Sequence, residues 1–228
     1  HGLVGTGLSM KIMIPKLWAH AEELTIEVTN GENEKLFSGE YFSIPTVLAH
    51  LKNYWDLSSS TYLELGLTGV WGLNNQWGFV DDSIGQLVNE GYRHTAVAGA
   101  DLNLVWIPMG MEKYRGVTWR TEFLYLHKQV EGSGGLDRID AFAGYTYLDV
   151  RTGPYVILGA RFDIGQIPEV GTHDWFWQVS PYITIWQSHF AFFRLQYNAT
   201  WESGRRDPIH SAMFQTVFAA GPHKHEKY

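Results

Sequence analysis

The chain has 228 residues, no cysteine and a net charge of −7, which excludes disulfides, thiolate metal sites, cysteine nucleophiles and a general nucleic-acid binder. Its mean hydropathy is −0.18 and no window holds 18 consecutive apolar residues, so no transmembrane helix is expected. Strands that alternate apolar and polar residues dilute such an average, which leaves membrane insertion through strands open.

In chain order, about eleven segments alternate with period two. In 4–14, Val4, Leu8, Met10, Ile12 and Ile14 oppose Gly5, Gly7, Ser9 and Lys11. Leu24, Ile26 and Val28 alternate with Thr25, Glu27 and Thr29, and a less regular strand surrounds 46–57. Leu63, Leu65, Leu67 and Trp71 oppose Glu64, Gly66 and Thr68. Ala98, Ala100, Leu102, Leu104 and Trp106 oppose Gly99, Asp101 and Asn103. Trp119, Phe123 and Tyr125 oppose Arg120 and Glu122, before a less regular strand at 139–150. Val156, Leu158, Ala160 and Phe162 oppose Gly159, Arg161 and Asp163. Pro181, inside the strand at 175–187, implies a bulge or a break, since proline cannot donate to the ladder. Phe193, Leu195, Tyr197 and Trp201 oppose Arg194, Gln196, Asn198 and Thr200, and a last alternating strand follows at 209–220.

Each segment is close to the length of roughly ten residues that crosses a bilayer's hydrocarbon core at a tilt of about 45°. The expected fold is all-β: an antiparallel transmembrane β-barrel of about eleven strands over residues 1–220, with 221–228 as a periplasmic tail. The alternative is a soluble sandwich whose polar set is its solvated face. Against it stand 10 Trp and 12 Tyr, side chains with an apolar body and a polar tip that suit a membrane–water interface. On this parity lipid contacts Leu8, Ile12, Leu65, Leu67, Leu102, Leu104, Leu158, Phe193 and Leu195. Trp18, Trp55, Trp71, Trp106, Trp175 and Trp201 then form two girdles.

Connection lengths are an independent signal. Those at 58–60, 151–153 and 188–189 are short, 15–23 and 108–115 intermediate, and 30–45, 74–92, 129–138 and 164–174 long. Membrane barrels have short periplasmic turns and longer extracellular loops, so a periplasmic C-terminus puts the long set outside. The same count puts residue 1 outside, whereas a complete single-chain barrel normally has an even strand number and both termini in the periplasm. The expectation is a part of a larger barrel, with further strands N-terminal to it.

Gly2-Leu3-Val4-Gly5, Leu24-Thr25-Ile26-Glu27-Val28-Thr29-Asn30-Gly31, Tyr62-Leu63-Glu64-Leu65-Gly66-Leu67, Gly99-Ala100-Asp101-Leu102-Asn103-Leu104-Val105-Trp106, Leu195-Gln196-Tyr197 and the tail Ala220-Gly221-Pro222-His223-Lys224-His225 carry a family likeness. They resemble porin-like β-barrels of the Gram-negative outer membrane, a family often labelled zinc-regulated TonB-dependent outer-membrane receptors. The resemblance covers nearly the whole chain. It implies the C-terminal part of such a barrel in the cell outer membrane, after an N-terminal half that also supplies strands.

Charges recur on the polar parity: Lys11, Glu27, Glu64, Asp101, Arg120, Glu122, Arg161, Asp163 and Arg194. On a lipid face Arg or Lys costs roughly 2–4 kcal/mol at mid-depth, so these residues are expected to line a lumen. There they form rings that select ions by sign, or they pair with one another and fill the interior; both readings stand at this point. His223 and His225, at i and i+2 beside Glu226, are the close histidine pair with metal-ligand spacing, or else part of a solvated tail. Gly132-Ser133-Gly134-Gly135 reads as a flexible loop tip, not a phosphate cradle. No Ser/His/Asp arrangement has a context for hydrolysis, so neither an enzyme nor a cofactor is expected. The expected function is passive passage of small solutes or ions, with outer-membrane lipid as surroundings and no nucleic acid as partner. One alternative is a TonB-dependent metal (zinc) receptor, which needs a plug domain and an energy-coupling motif as well. The other is a structural barrel that anchors or exports a surface partner protein, and a homo-oligomer is a further possibility for either.

Overall fold

The computed structural model describes residues 5–218 apart from 31, 34–35, 39–44, 76–78, 82–85, 89–90, 133–134, 172–173 and 189. Eleven strands form one antiparallel sheet in sequence order: β1 Gly7–Ile14, β2 Ala21–Thr29, β3 Thr46–Ser58, β4 Thr61–Asn74, β5 Arg93–Trp106, β6 Gly116–Gly132, β7 Gly135–Arg151, β8 Val156–Gln166, β9 Trp175–Ser188, β10 Ala191–Glu202 and β11 Ile209–Phe218. Two small hairpins, Glu32–Asn33 with Phe37–Ser38 and Phe79–Asp81 with Gln86–Val88, sit in two of the long connections. Among the described residues there is no helix and no second sheet larger than these two hairpins. The stacked sandwich weighed above is therefore not the architecture. Because each strand pairs with its chain neighbours, connections leave from alternate ends. Turns 15–20, 59–60, 107–115, 152–155 and 189–190 share one end, here the short-turn end. The connections at 30–45, 75–92, 133–134, 167–174 and 203–208 share the other.

β1 and β11 are the two edges, and no pairing joins them among the described residues. The register carries one face across the whole sheet, since directly opposed residues point the same way. One row runs Lys11, Thr25, His50, Thr68, Gly99, Leu124, Ala143, Gly165, Phe176, Glu202. Residues two apart along each strand extend that face.

One local reading of the sequence needs correction, and another resolves between its two alternatives. The expected loop at 129–138 is instead a tight hairpin: β6 and β7 stay paired out to Gly132 opposite Gly135. Gly135 has φ of 121°, a backbone conformation open to glycine, at the start of β7 where a long loop was expected. Pro181 breaks the ladder without a bulge. Pairing with β10 stops after Val179–Ala199 and resumes at Tyr182–Gln196 in unchanged register, while Pro181 stays paired to Ala160 on the other side. The bulge of this strand lies between Trp186 and Ser188.

Candidate functional site

All nine charges named from the sequence share the face of the Lys11 row. Glu27 opposes Ser9, Asp101 opposes Gly66 and Glu122, Arg120 opposes Asn103 and Tyr147, Tyr147 opposes Arg161, Asp163 opposes Tyr145, and Arg194 opposes Thr184. His223, His225 and Glu226 lie outside the described residues. Among the described residues no three His, Asp or Glu side chains converge on one point as a metal site requires.

Burial is inverted relative to a water-soluble sheet. The polar face is the enclosed one: Thr95 and Ser180 are 0% exposed, and Thr25, Thr46, Asn74, Asn103, Thr184 and Asn198 on the same face are buried. With a single sheet, side chains can enclose one another in this way on the concave side of a curl. The opposite face is apolar and open, with Leu195 55% and Phe214 66% exposed. All nine residues expected to meet lipid lie on it, from Leu8 opposite Val28 to Leu195 opposite Ile183 and Phe214.

Tryptophans mark both limits of the apolar face. Trp18, Trp55, Trp106 and Trp119 stand at the short-turn end; Trp71, Trp175, Trp177 and Trp201 stand at the other. Trp177 and Trp201 stack with ring centroids 3.9 Å apart. Trp186 departs from the pattern and lies on the polar face opposite Phe192. Two polar side chains on the apolar face, Glu22 and Asn53, are covered by the turn 15–20. One Glu22 oxygen accepts the backbone N–H groups of Leu17, Trp18 and Ala19 at 2.9–3.0 Å. Asn53 accepts from the Trp18 indole at 2.9 Å and donates to the Leu65 carbonyl. In the turn 107–115 the Glu112 carboxyl is held below the usual carboxylate range by its own N–H and that of Gly110.

Beyond Phe123 and Phe142 the two faces exchange character. On the side that is apolar elsewhere, the Asp140 carboxylate accepts from Tyr125 and sits 2.8 Å from His127 and 3.3 Å from Arg138. On the other side Leu126, Val130, Ile139 and Ala141 pack together. Alternation cannot report such a hairpin, because its polarity reverses midway.

The polar face is a mixed-sign surface. Lys52 pairs with Glu64 at 2.9 Å, Glu64 accepts from Asn103, and Lys11 pairs with Glu23 at 3.1 Å. Arg161 grips Asp163 through Nε and Nη2 at 2.6–3.0 Å and lies 4.3 Å from the Tyr145 ring centre. The register sets the basic row of Arg120 and Arg161 directly beside the acidic row of Asp101, Glu122 and Asp163. Arg161 and Asp163 pair with each other across these two rows.

At the long-loop end the 32–38 hairpin folds onto this face. Phe37 is buried, and a Cβ added at Gly72 would meet its ring. Nothing in the sequence distinguished Phe37 from other loop residues. Phe37→Ala is expected to release the hairpin, read as faster amide exchange at 32–38 with strands β3 and β4 unchanged.

The chain matches no protein-family model, no curated protein and no solved structure.

Proposed function

We propose that this chain forms part of the wall of an outer-membrane β-barrel through which small polar solutes or ions pass passively. The carrying observation is the inverted sheet: an open apolar face bounded at both ends by tryptophans, backed by an enclosed polar face. The band between the girdles has a bilayer's height. Trp71 stands opposite Ala96 on β5, about ten residues from Trp106, or roughly 33 Å along the strand. A tilt of about 45° reduces that to roughly 23 Å, close to the ~25 Å apolar band of outer-membrane barrels. The reversal of polarity past Phe123 and Phe142 then marks where β6 and β7 leave the lipid.

The two edges bear on how such a wall closes. β1 and β11 run in the same direction, since an even number of antiparallel steps separates them. Neither edge can stay open at bilayer depth, because each unpaired backbone group there costs several kcal/mol. Antiparallel closure takes an odd number of strands from outside these residues. A barrel of more than eleven strands is wider than the eight-stranded ones whose interior side chains fill.

The test is single-channel recording in planar bilayers with the protein that carries this chain. Stepwise, ohmic conductance is expected, increased when the hairpin is released by Phe37→Ala. A closed trace from protein whose heat-modifiable gel migration shows it folded would overturn passive passage.

A further inference from the structure

On the polar face, strands β7 to β10 surround a concavity of about 330 Å3, at the lower end of the size of small-molecule sites. We infer that it is a binding site for a neutral polyhydroxylated solute of the sugar class, met on the way through the barrel. The inference rests on the reading of this face as the water-filled side.

The lining excludes other ligand classes in turn. No aliphatic side chain contributes to it, so an apolar ligand would find apolar surface only on the Tyr147 and Tyr182 rings, amid charged and amide groups. Its formal charges balance, with Arg161 and Arg194 against Asp149 and Asp163. The Arg161 fork is occupied by Asp163, and its flat side lies over Tyr145. It therefore cannot offer the bidentate grip that selects phosphate or carboxylate, and an anion at the open Arg194 nitrogens would share the pocket with the Asp149 and Asp163 carboxylates. Asp163 is engaged by the same pair, and Asp149 accepts the Tyr182 hydroxyl at 2.5 Å, so neither is a bare carboxylate awaiting a cation.

What remains suits hydroxyl groups, each of which donates and accepts at once. The carboxylates of Asp149 and Asp163 keep lone pairs beyond these bonds. Arg194 is anchored by Nε to Thr184 at 2.8 Å and lies 4.5 Å over the Tyr182 ring, which leaves its terminal nitrogens as donors. Gln196 is held through its amide nitrogen by Asn198 at 2.7 Å and keeps its carbonyl oxygen as an acceptor. Planar donors and acceptors thus converge in fixed orientation, which lowers the ordering cost of binding. Tyr147, stacked in near-parallel fashion on Tyr145 with centroids 6.3 Å apart, gives the flat apolar platform that the C–H face of a sugar ring needs.

Saturation-transfer NMR on the folded protein in detergent micelles, with maltotriose and inorganic phosphate as probes, tests this without requiring conduction. Transfer to the sugar-ring protons is expected. Tyr147→Ala and Gln196→Ala should each weaken apparent affinity at least fivefold, while His50→Ala, far along the same face, leaves it unchanged. Absence of transfer, affinity in both pocket variants undiminished from the unmutated protein, or displacement of maltotriose by an equal concentration of phosphate would each overturn the site. Conductance without transfer removes the sugar site and leaves passive passage standing. Transfer without conductance keeps the site and removes passage.

Discussion

Leu67→Arg is expected to destabilise the lipid-inserted protein by about 2–4 kcal/mol, the cost of an arginine facing lipid near mid-depth. Thr68→Arg, one residue along β4, is expected to cost much less. Leu67 is on the open apolar face, opposite Leu51 and Ala100; Thr68 is on the enclosed polar face, opposite His50 and Gly99. The two substitutions share chemistry, strand and depth and differ in the medium that receives the charge. Thr68→Arg does lose the 2.8 Å contact of the hydroxyl with His50 Nδ1, about 0.5–1.5 kcal/mol for a typical hydrogen bond. In water the order reverses, because Leu67 is 47% exposed and an arginine there would be solvated at no penalty. Urea unfolding in lipid vesicles measures the difference, and equal costs at both positions would remove the bilayer from the description of this sheet.

Which parts of this were legible in the sequence follows from the period of a strand. Because side chains alternate strictly, placing Leu65 on one face also places Glu64 and Gly66 on the other, and a one-residue slip would invert the whole strand. Parity therefore sorts the nine charges and the nine residues of the apolar face onto opposite sides of the sheet. It failed where a third element covers the sheet. Glu22 and Asn53 have the parity of Leu24 and Leu51 and look misplaced until the turn 15–20 brings backbone N–H groups and the Trp18 indole to them. Alternation also could not follow β6 and β7 beyond Phe123, since the apolar side changes there and glycines close the hairpin. Of the candidate site, residue types and face were readable, but partners were not. The grip of Arg161 on Asp163 follows the strand, at i and i+2, whereas the Tyr182–Asp149 bond spans 33 residues of sequence. Only the pairing of β7 with β8 and β8 with β9 brings that pair together.

The seat of that bond is Gly159, and it gives the second large expected effect. Gly159 lies between Asp149 and Tyr182 in the register, and a Cβ built there would collide with the Tyr182 ring and with an Asp149 oxygen. A valine in an open strand position ordinarily helps, because it removes glycine's backbone freedom and suits a pleated surface, a scale that spans about 1 kcal/mol. At Gly159 the collision opposes that gain. The tyrosine ring is closed in from the other side by Arg194, so it cannot swing clear without giving up both the guanidinium contact and the carboxylate bond. Overpacking of this kind costs about 1–3 kcal/mol, and Gly159→Val is expected to destabilise by that amount. Gly69, on the apolar face of β4, has nothing within 4 Å of an added Cβ, and Gly69→Val is expected to be neutral or stabilising by up to about 1 kcal/mol. Opposite signs at two strand glycines, measured by the same urea titration in vesicles, are what a built seat for Tyr182 demands. Stabilisation at both positions would mean that the tyrosine is free to move and that the polar wall is not preorganised around it.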